Sequence, residues 1–548
     1  MTHTDIIIVG GGLAGLAAAH AATNRGRHVL LIDQEGEQSL GGQAFWSLGG
    51  LFMIDTPEQR RMGIRDSLEL ARTDWMGSAQ FDRPEDENPR KVAEAYLEYA
   101  AGKMREDLST LGMRWFPVVG WAERGGGHAH GHGNTVPRFH ITWGAGEGIV
   151  APYVEQALAA ESAGTLRFAF RHRVTGLDVT DGRVTGVRGE MLDHDHARRG
   201  ASTNRDVVGE FAYTSDSVIL TTGGIGGNHD MVRKVWPVDR LGKPPKKMVA
   251  GVPDYVDGQM TEIAKKAGAG AINEDRMWHY TEGLTNWDPI WPNHGIRVLP
   301  GPSAMWFDAL GERMEAPCLP GFDTLATLKR ILQTGHEHSW LILTQKIIEK
   351  EFALSGSEQN PDFVSGKLWE VLKERTFSKG ATKAVEAFKE HGEDFIISDD
   401  LDDLISKMNE LTPYAPLDPA HIRAQIEARD AQITNKFSKD AQITAIHGAR
   451  AYRGDKLVRT AKPHRLLDPS KGPLIAVRLN ILTRKSLGGL HTDLQSRVLR
   501  PDGTPFDGLF AAGEVSGFGG GGYHGYNALE GTFLGGCIFS GKAAGDNA

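Results

Sequence analysis

The apolar positions of the chain first gather at residues 6–9, an uninterrupted Ile-Ile-Ile-Val run with β-branched residues. They break at Gly10 and resume over residues 13–22, a stretch rich in good helix formers. This pattern predicts a strand, a tight turn and a helix. A second apolar run, residues 28–33, ends in Asp33. Residues 57–112 mix charged and apolar positions in a helical pattern, and 146–160 reads as a further helix. Residues 166–170 form a short strand, and 174–179 and 183–188 alternate around a turn at Asp181-Gly182. The apolar strand 212–220 runs into Thr221-Thr222-Gly223-Gly224.

From Trp236 the texture changes. Prolines and tryptophans cluster (Trp236, Pro237, Trp278, Trp287, Trp291, Trp306), and a charged helical region follows over 343–435. The α/β texture returns with strands at 474–482 and 508–514. The expected organisation is therefore a domain split into residues 1–235 and 441–548, with a second domain, 236–440, inserted between its halves. Most of the inserted aromatics are expected in the core, with some lining a cleft at the domain boundary.

Composition narrows the class. The chain has 548 residues, enough for two or more domains, and a formal net charge of −9 with no long basic block, which gives no reason to expect nucleic acid. Two cysteines, Cys318 and Cys537, cannot form a disulfide framework, an iron–sulfur cluster or a haem attachment, and fit a reducing compartment. His3 and Asp5 stand where a signal peptide would carry basic residues, and no apolar stretch reaches the roughly 18 residues of a membrane span, so a cytoplasmic protein is expected. His128, His130 and His132 alternate in a Gly/His tract without nearby carboxylates or thiolates. A solvent loop is expected there, and no metal site is assigned.

The chemistry-bearing signals are rich in glycine. Gly10, Gly12 and Gly15 give G-x-G-x-x-G with Leu13 and Ala14 inside it, placed after a strand and opening a helix. Glycine is needed where φ is positive, where backbone approaches a pyrophosphate and where the helix packs on the strand. The helix amino terminus then faces the phosphates. Asp33, about 20 residues downstream, is placed to accept ribose hydroxyls. Gly41-Gly42-Gln43, Ser47 and Gly49-Gly50 form a loop that lets backbone sit close to a flat ligand. Val174, Thr222 and Gly223 are further candidate contacts on a second wall. Gly513 and Glu514 end the last strand, where Glu514 can accept from a polyol chain. A nicotinamide dinucleotide needs no second acid of this kind, so FAD is favoured. Gly517–Gly522 also satisfies G-x-G-x-x-G, but only 26 residues follow it, too few for a second nucleotide-binding unit.

As a set these segments resemble the flavoprotein superfamily of succinate dehydrogenase, fumarate reductase and 3-ketosteroid dehydrogenase. Arg183-Val-Thr-Gly-Val187, residues 217–224, Leu487-Gly-Gly-Leu-His-Thr-Asp493 and Gly508–Val515 carry the likeness with the first turn. The resemblance implies an α/β fold: a Rossmann-like FAD-binding domain of the glutathione-reductase type with an inserted α+β capping domain. It also implies that Glu514 holds the ribityl chain and that a helix starting near Gly531 points its amino end at the flavin, with Ala528 and Leu529 among the cofactor contacts. Gln43 stands where covalent-flavin members have histidine, so the FAD is expected to be noncovalent. Ala528, Lys485 and Phe322 fall where the dicarboxylate enzymes have an arginine, a histidine and a capping-domain arginine, which argues against a C4 dicarboxylate.

Gly522-Tyr-His-Gly-Tyr526 resembles a tyrosine-containing segment of the ketosteroid dehydrogenase branch. Tyr526 and His524 are accordingly the first catalytic candidates, with Lys485 and Arg484 as cations that polarise a substrate oxygen or stabilise reduced flavin. Tyr280 and His279 are lesser candidates. The expected activity is an FAD-dependent oxidoreductase of the CH–CH donor class, acting next to the carbonyl of an apolar or ring-shaped small molecule such as a ketosteroid and passing electrons to an external acceptor. Alternatives are a flavin oxidase or reductase of another small molecule, or a flavin-bearing electron-transfer component of a complex.

Overall fold

The computed structural model describes residues 3–123, 133–377 and 379–548. His128, His130 and His132 lie outside the described residues.

Two eight-stranded sheets organise the chain. In the first, Pro505–Ala511, Val207–Leu220, His3–Val9, Val29–Asp33 and Leu166–Phe170 lie side by side in parallel. The Ile-Ile-Ile-Val run is apolar at every position because both faces of this sheet are covered: Ile6 and Ile8 pack with Leu16 and Leu31, Ile7 and Val9 with Leu30 and Leu220. The hairpin His172–Thr180 and Arg183–Leu192 joins antiparallel at the outer half of Val207–Leu220. The two ends of the chain meet where helix Leu13–Asn24 packs on helix Thr532–Asn547. That approach needs glycine, since a Cβ at Gly541 would lie 2.4 Å from the Ala14 carbonyl and one at Gly545 2.2 Å from the Ala18 carbonyl.

The second sheet runs Met305–Asp308, His338–Thr344, Leu474–Ser486, Met277–Thr285, Gly295–Leu299 and Ala353–Leu354, antiparallel along this path, with the short strand Val249–Ala250 joining Leu474–Ser486 in parallel. Trp278, Trp291, Trp306 and Trp340 are buried around it, and Trp287 is exposed. Here the structure differs from the sequence reading. Leu474–Ser486, assigned there to the dinucleotide domain, is the central strand of the second sheet, pairing with His338–Thr344 along its first half and Met277–Thr285 along its second. An apolar strand reads alike in either sheet, and only its partners distinguish them. The strand carries Arg484 and Lys485 from this sheet to the edge of the first.

Candidate active site

An elongated cavity lies between the two sheets. At one end the chain turns sharply after Val9. Gly10 has φ +106°, and a Cβ there would stand 2.7 Å from the Thr221 carbonyl oxygen. A Cβ at Gly15 would be 2.1 Å from the Gly10 carbonyl oxygen, so this glycine sits under the turn, while Val9, Gly10, Gly12, Leu13 and Ala14 reach the cavity wall. Helix Leu13–Asn24 starts there with no acidic residue in its first turn and no side-chain cap, leaving amide donors for an anion. Asp33 completes this end: Oδ2 accepts from the Gly11 amide at 2.6 Å and Oδ1 from the Glu35 amide at 2.8 Å. Burial raises its pKa to about 6.

In the middle of the cavity three distant segments converge. Gln43 Nε2 donates to Glu514 Oε2 at 2.9 Å, the Ser486 amide donates to Glu514 Oε1 at 2.9 Å, and Lys485 Nζ donates to Gln43 Oε1 at 3.2 Å. Burial lowers the Lys485 pKa. Gly41, Gly42, Ser47, Gly49, Gly50, Val174, Thr222, Gly223 and Gly513 also line the cavity. Helix Thr532–Asn547 opens here from Gly531, with Phe533, Leu534 and Cys537 on the wall, and burial pushes the Cys537 thiol up to about 12. Arg484 also lines the wall; its guanidinium donates to the Gly251 carbonyl and its amide to His279 Nδ1 at 3.0 Å.

At the far end Tyr280, Arg297 and Glu530 share one network. Glu530 Oε1 accepts from the Tyr280 hydroxyl at 3.0 Å, from Arg297 at 2.9 Å and from Trp278 Nε1 at 3.3 Å. Arg297 also faces Glu123 at 3.6 Å and Glu282 at 3.7 Å, and its guanidinium stacks 3.6 Å from the centre of the Tyr280 ring. One cation therefore serves three buried carboxylates. Burial raises the Glu123 and Glu282 pKa values, and burial, then the Glu530 charge, raises that of the Tyr280 phenol.

Several expected positions fall elsewhere. Ala528 and Leu529 are buried beside the cavity without lining it. His524 is fully buried behind it, stacked on Trp75 and bonded to Thr532 Oγ1 at 2.8 Å. Tyr526 points into a different cleft, its hydroxyl donating to Asp82 at 2.9 Å. Neither residue reaches the cavity, because the glycine-rich turns of 516–526 aim them towards residues 75–82. Phe322, the expected counterpart of a capping-domain arginine, is absent from the wall, which carries Arg297 instead. The available signal for Arg297 was a lone charge in the apolar strand Gly295–Leu299, and for Glu530 a carboxylate within an apolar turn. Among the described residues no group of three or more His, Cys, Asp or Glu side chains could hold a metal ion.

A parallel sheet with a glycine turn at its carboxyl edge, an acid after the second strand and a cavity long enough for a dinucleotide define an FAD-dependent oxidoreductase. The chain belongs to the FAD-binding domain family, whose sequence model matches residues 5–534. It is 57% identical over 544 residues to a KsdD-like steroid dehydrogenase of Mycobacterium tuberculosis (strain CDC 1551 / Oshkosh), covering 99% of this chain and 95% of that protein. It is 56% identical over 534 residues to a KsdD-like steroid dehydrogenase of Mycolicibacterium smegmatis, covering 97% and 96%. Its fold is similar to that of 3-ketosteroid delta1-dehydrogenase from Sterolibacterium denitrificans, with a TM-score of 0.67 at 17% identity, covering 100% of this chain and 99% of that one. No helix among the described residues is long and apolar enough to cross a membrane.

Proposed function

We propose that the chain is a dehydrogenase that forms a carbon–carbon double bond beside the carbonyl of an apolar, ring-shaped ketone of the 3-ketosteroid kind. The observation that carries this reading is the engagement of Arg297. Clamping a dicarboxylate takes two free cations, and of the two guanidiniums facing Tyr280, Arg297 is already surrounded by Glu530, Glu282 and Glu123, which leaves Arg484. What the far end offers a substrate is the Tyr280 phenol among apolar neighbours such as Leu299, Leu482 and Phe533. The names of the two mycobacterial relatives support the same substrate class.

Bound FAD supplies the hydride acceptor. In this reading Gly10, Gly12 and the helix behind them hold its pyrophosphate, Asp33 its adenosine ribose and Glu514 its ribityl chain. Gln43, an amide with no nucleophilic ring nitrogen, leaves the cofactor noncovalent. Tyr280 takes the substrate's α-proton on its oxygen while its own proton passes to Glu530 along the hydrogen bond already present. Arg484 polarises the ketone. Lys485 and the amino end of the helix at Gly531 would place positive charge beside the cofactor. With the chain supplying no further redox group of its own, the final acceptor would be a separate molecule.

The test is anaerobic mixing of the FAD-loaded protein with 4-androstene-3,17-dione or with succinate, followed at the flavin absorbance. Bleaching by the steroid alone is expected. Bleaching by succinate with none by the steroid overturns the reading. Acid precipitation should release the flavin into the supernatant, and flavin retained in the pellet would contradict noncovalent binding.

A further inference from the structure

Tyr526 faces a second cleft, which shares no lining residue with the first. Its two walls come from different parts of the chain. Met76, Phe81 and Tyr526 belong to the half built on the parallel sheet, whereas Arg240, Leu241 and Leu325 belong to the segment between the halves of that sheet. Of the eleven lining residues, Met76, Phe81, Leu241 and Leu325 are aliphatic or phenyl and form an apolar floor among charged neighbours.

Three arginines surround the Tyr526 ring, at 4.0 Å for Arg276, 4.5 Å for Arg240 and 5.7 Å for Arg83. Two of them have carboxylate partners. Arg276 binds Asp86 through both terminal nitrogens at 2.7 and 2.8 Å, and Arg83 binds Asp275 in a two-point pair at 2.7 and 2.8 Å. Arg240 has no such pair among the described residues: one terminal nitrogen donates to the Asp275 carbonyl at 3.3 Å, and its Nε is buried without a partner. Of the acids on the wall, Asp82 accepts from Tyr526 and faces Arg276. The lining carries Arg90, Arg240 and Lys329 against Asp82 and Asp239, an excess of one positive charge that leaves room for a single anion.

We propose that this cleft binds an amphipathic monocarboxylate, its carboxylate on the terminal nitrogens of Arg240 and its apolar body between Met76, Phe81, Leu241 and Leu325. A planar guanidinium edge matches a carboxylate in two parallel hydrogen bonds, and no carboxylate of the described residues holds these nitrogens. The apolar floor accounts for the rest of the ligand. Because the walls belong to different parts of the chain, the bound acid ties them together beside the turn that carries Glu530.

The experiment is isothermal titration of the FAD-loaded protein with 3-phenylpropionate and with its neutral amide. The acid should bind at least about tenfold more tightly than the amide, the loss expected when a charge-assisted pair is replaced by a neutral one. R240Q should abolish that preference and R240K should reduce it, with unchanged flavin content reporting a folded protein. Y280F should bind the acid as the wild type does, which separates this site from the proposed dehydrogenation. Failure of 3-phenylpropionate to bind the wild type, equal binding of acid and amide, preference retained in R240Q, or competition by 4-androstene-3,17-dione would each overturn the proposal.

Discussion

The Tyr280 hydroxyl donates to Glu530 Oε1 at 3.0 Å, joining a strand of the second sheet to the turn before the C-terminal helix. The bond sets the direction of any proton transfer, from the phenol towards the carboxylate. Burial and the Glu530 charge hold the phenol protonated, so Tyr280 can pass a proton on only while receiving another.

Y280F keeps the ring stacked under Arg297 and removes the proton-carrying oxygen. Flavin reduction by the ketone should slow by about 10²- to 10⁴-fold, the contribution of a positioned acid–base group. Stopped-flow absorbance measures it, with FAD affinity unchanged. A wild-type rate in Y280F would remove the tyrosine from the chemistry.

R297L leaves Glu123, Glu282 and Glu530 buried without their shared cation. Stability should fall by about 3–5 kcal/mol, the usual cost of stranding buried charge. Urea denaturation of wild type and variant gives the difference, and E282Q added to R297L should recover part of it.

Asp33 has its pKa raised to about 6 by burial, so in the flavin-free protein it protonates as pH falls through that value. Ribose hydroxyls donate to the ionised form and lower the pKa in the complex. FAD affinity should therefore rise with pH through about 6, level off above it, and weaken below it. Fluorescence titration of the apoprotein across this range checks the slope, and D33N should flatten it while weakening binding by about 1 kcal/mol.

G15A places a methyl 2.1 Å from the Gly10 carbonyl oxygen and 2.8 Å from Thr221 Oγ1. Strand and helix must separate to admit it, so the variant should lose FAD although Gly15 itself lies off the cavity wall. Flavin content after purification is the readout.

The amino-acid sequence by itself determined the cofactor end of the molecule. Residues 6–33 form a strand, turn, helix and strand that are close in the chain, and the steric demand at Gly10 and Gly15 can be met by glycine alone, so local pattern and local chemistry coincide. Gln43 was named through the family likeness and Glu514 through the strand it ends, and the fold brings the two together at the cavity wall.

Only the tertiary structure brought together the far end of the cavity. Tyr280, a lesser candidate of the sequence, meets Arg297 and Glu530 from segments up to 250 residues apart. Tyr526 lies four positions from Glu530, yet the turns between them send the two side chains into different cavities. The strand Leu474–Ser486 presents the same case: its apolar pattern fixes that it is a strand, while its sheet follows from its hydrogen-bond partners. Glycine geometry and β pattern act over a few residues and can be read along the chain. The meeting of one guanidinium with three carboxylates is set by how two sheets pack, and that is a property of the folded chain.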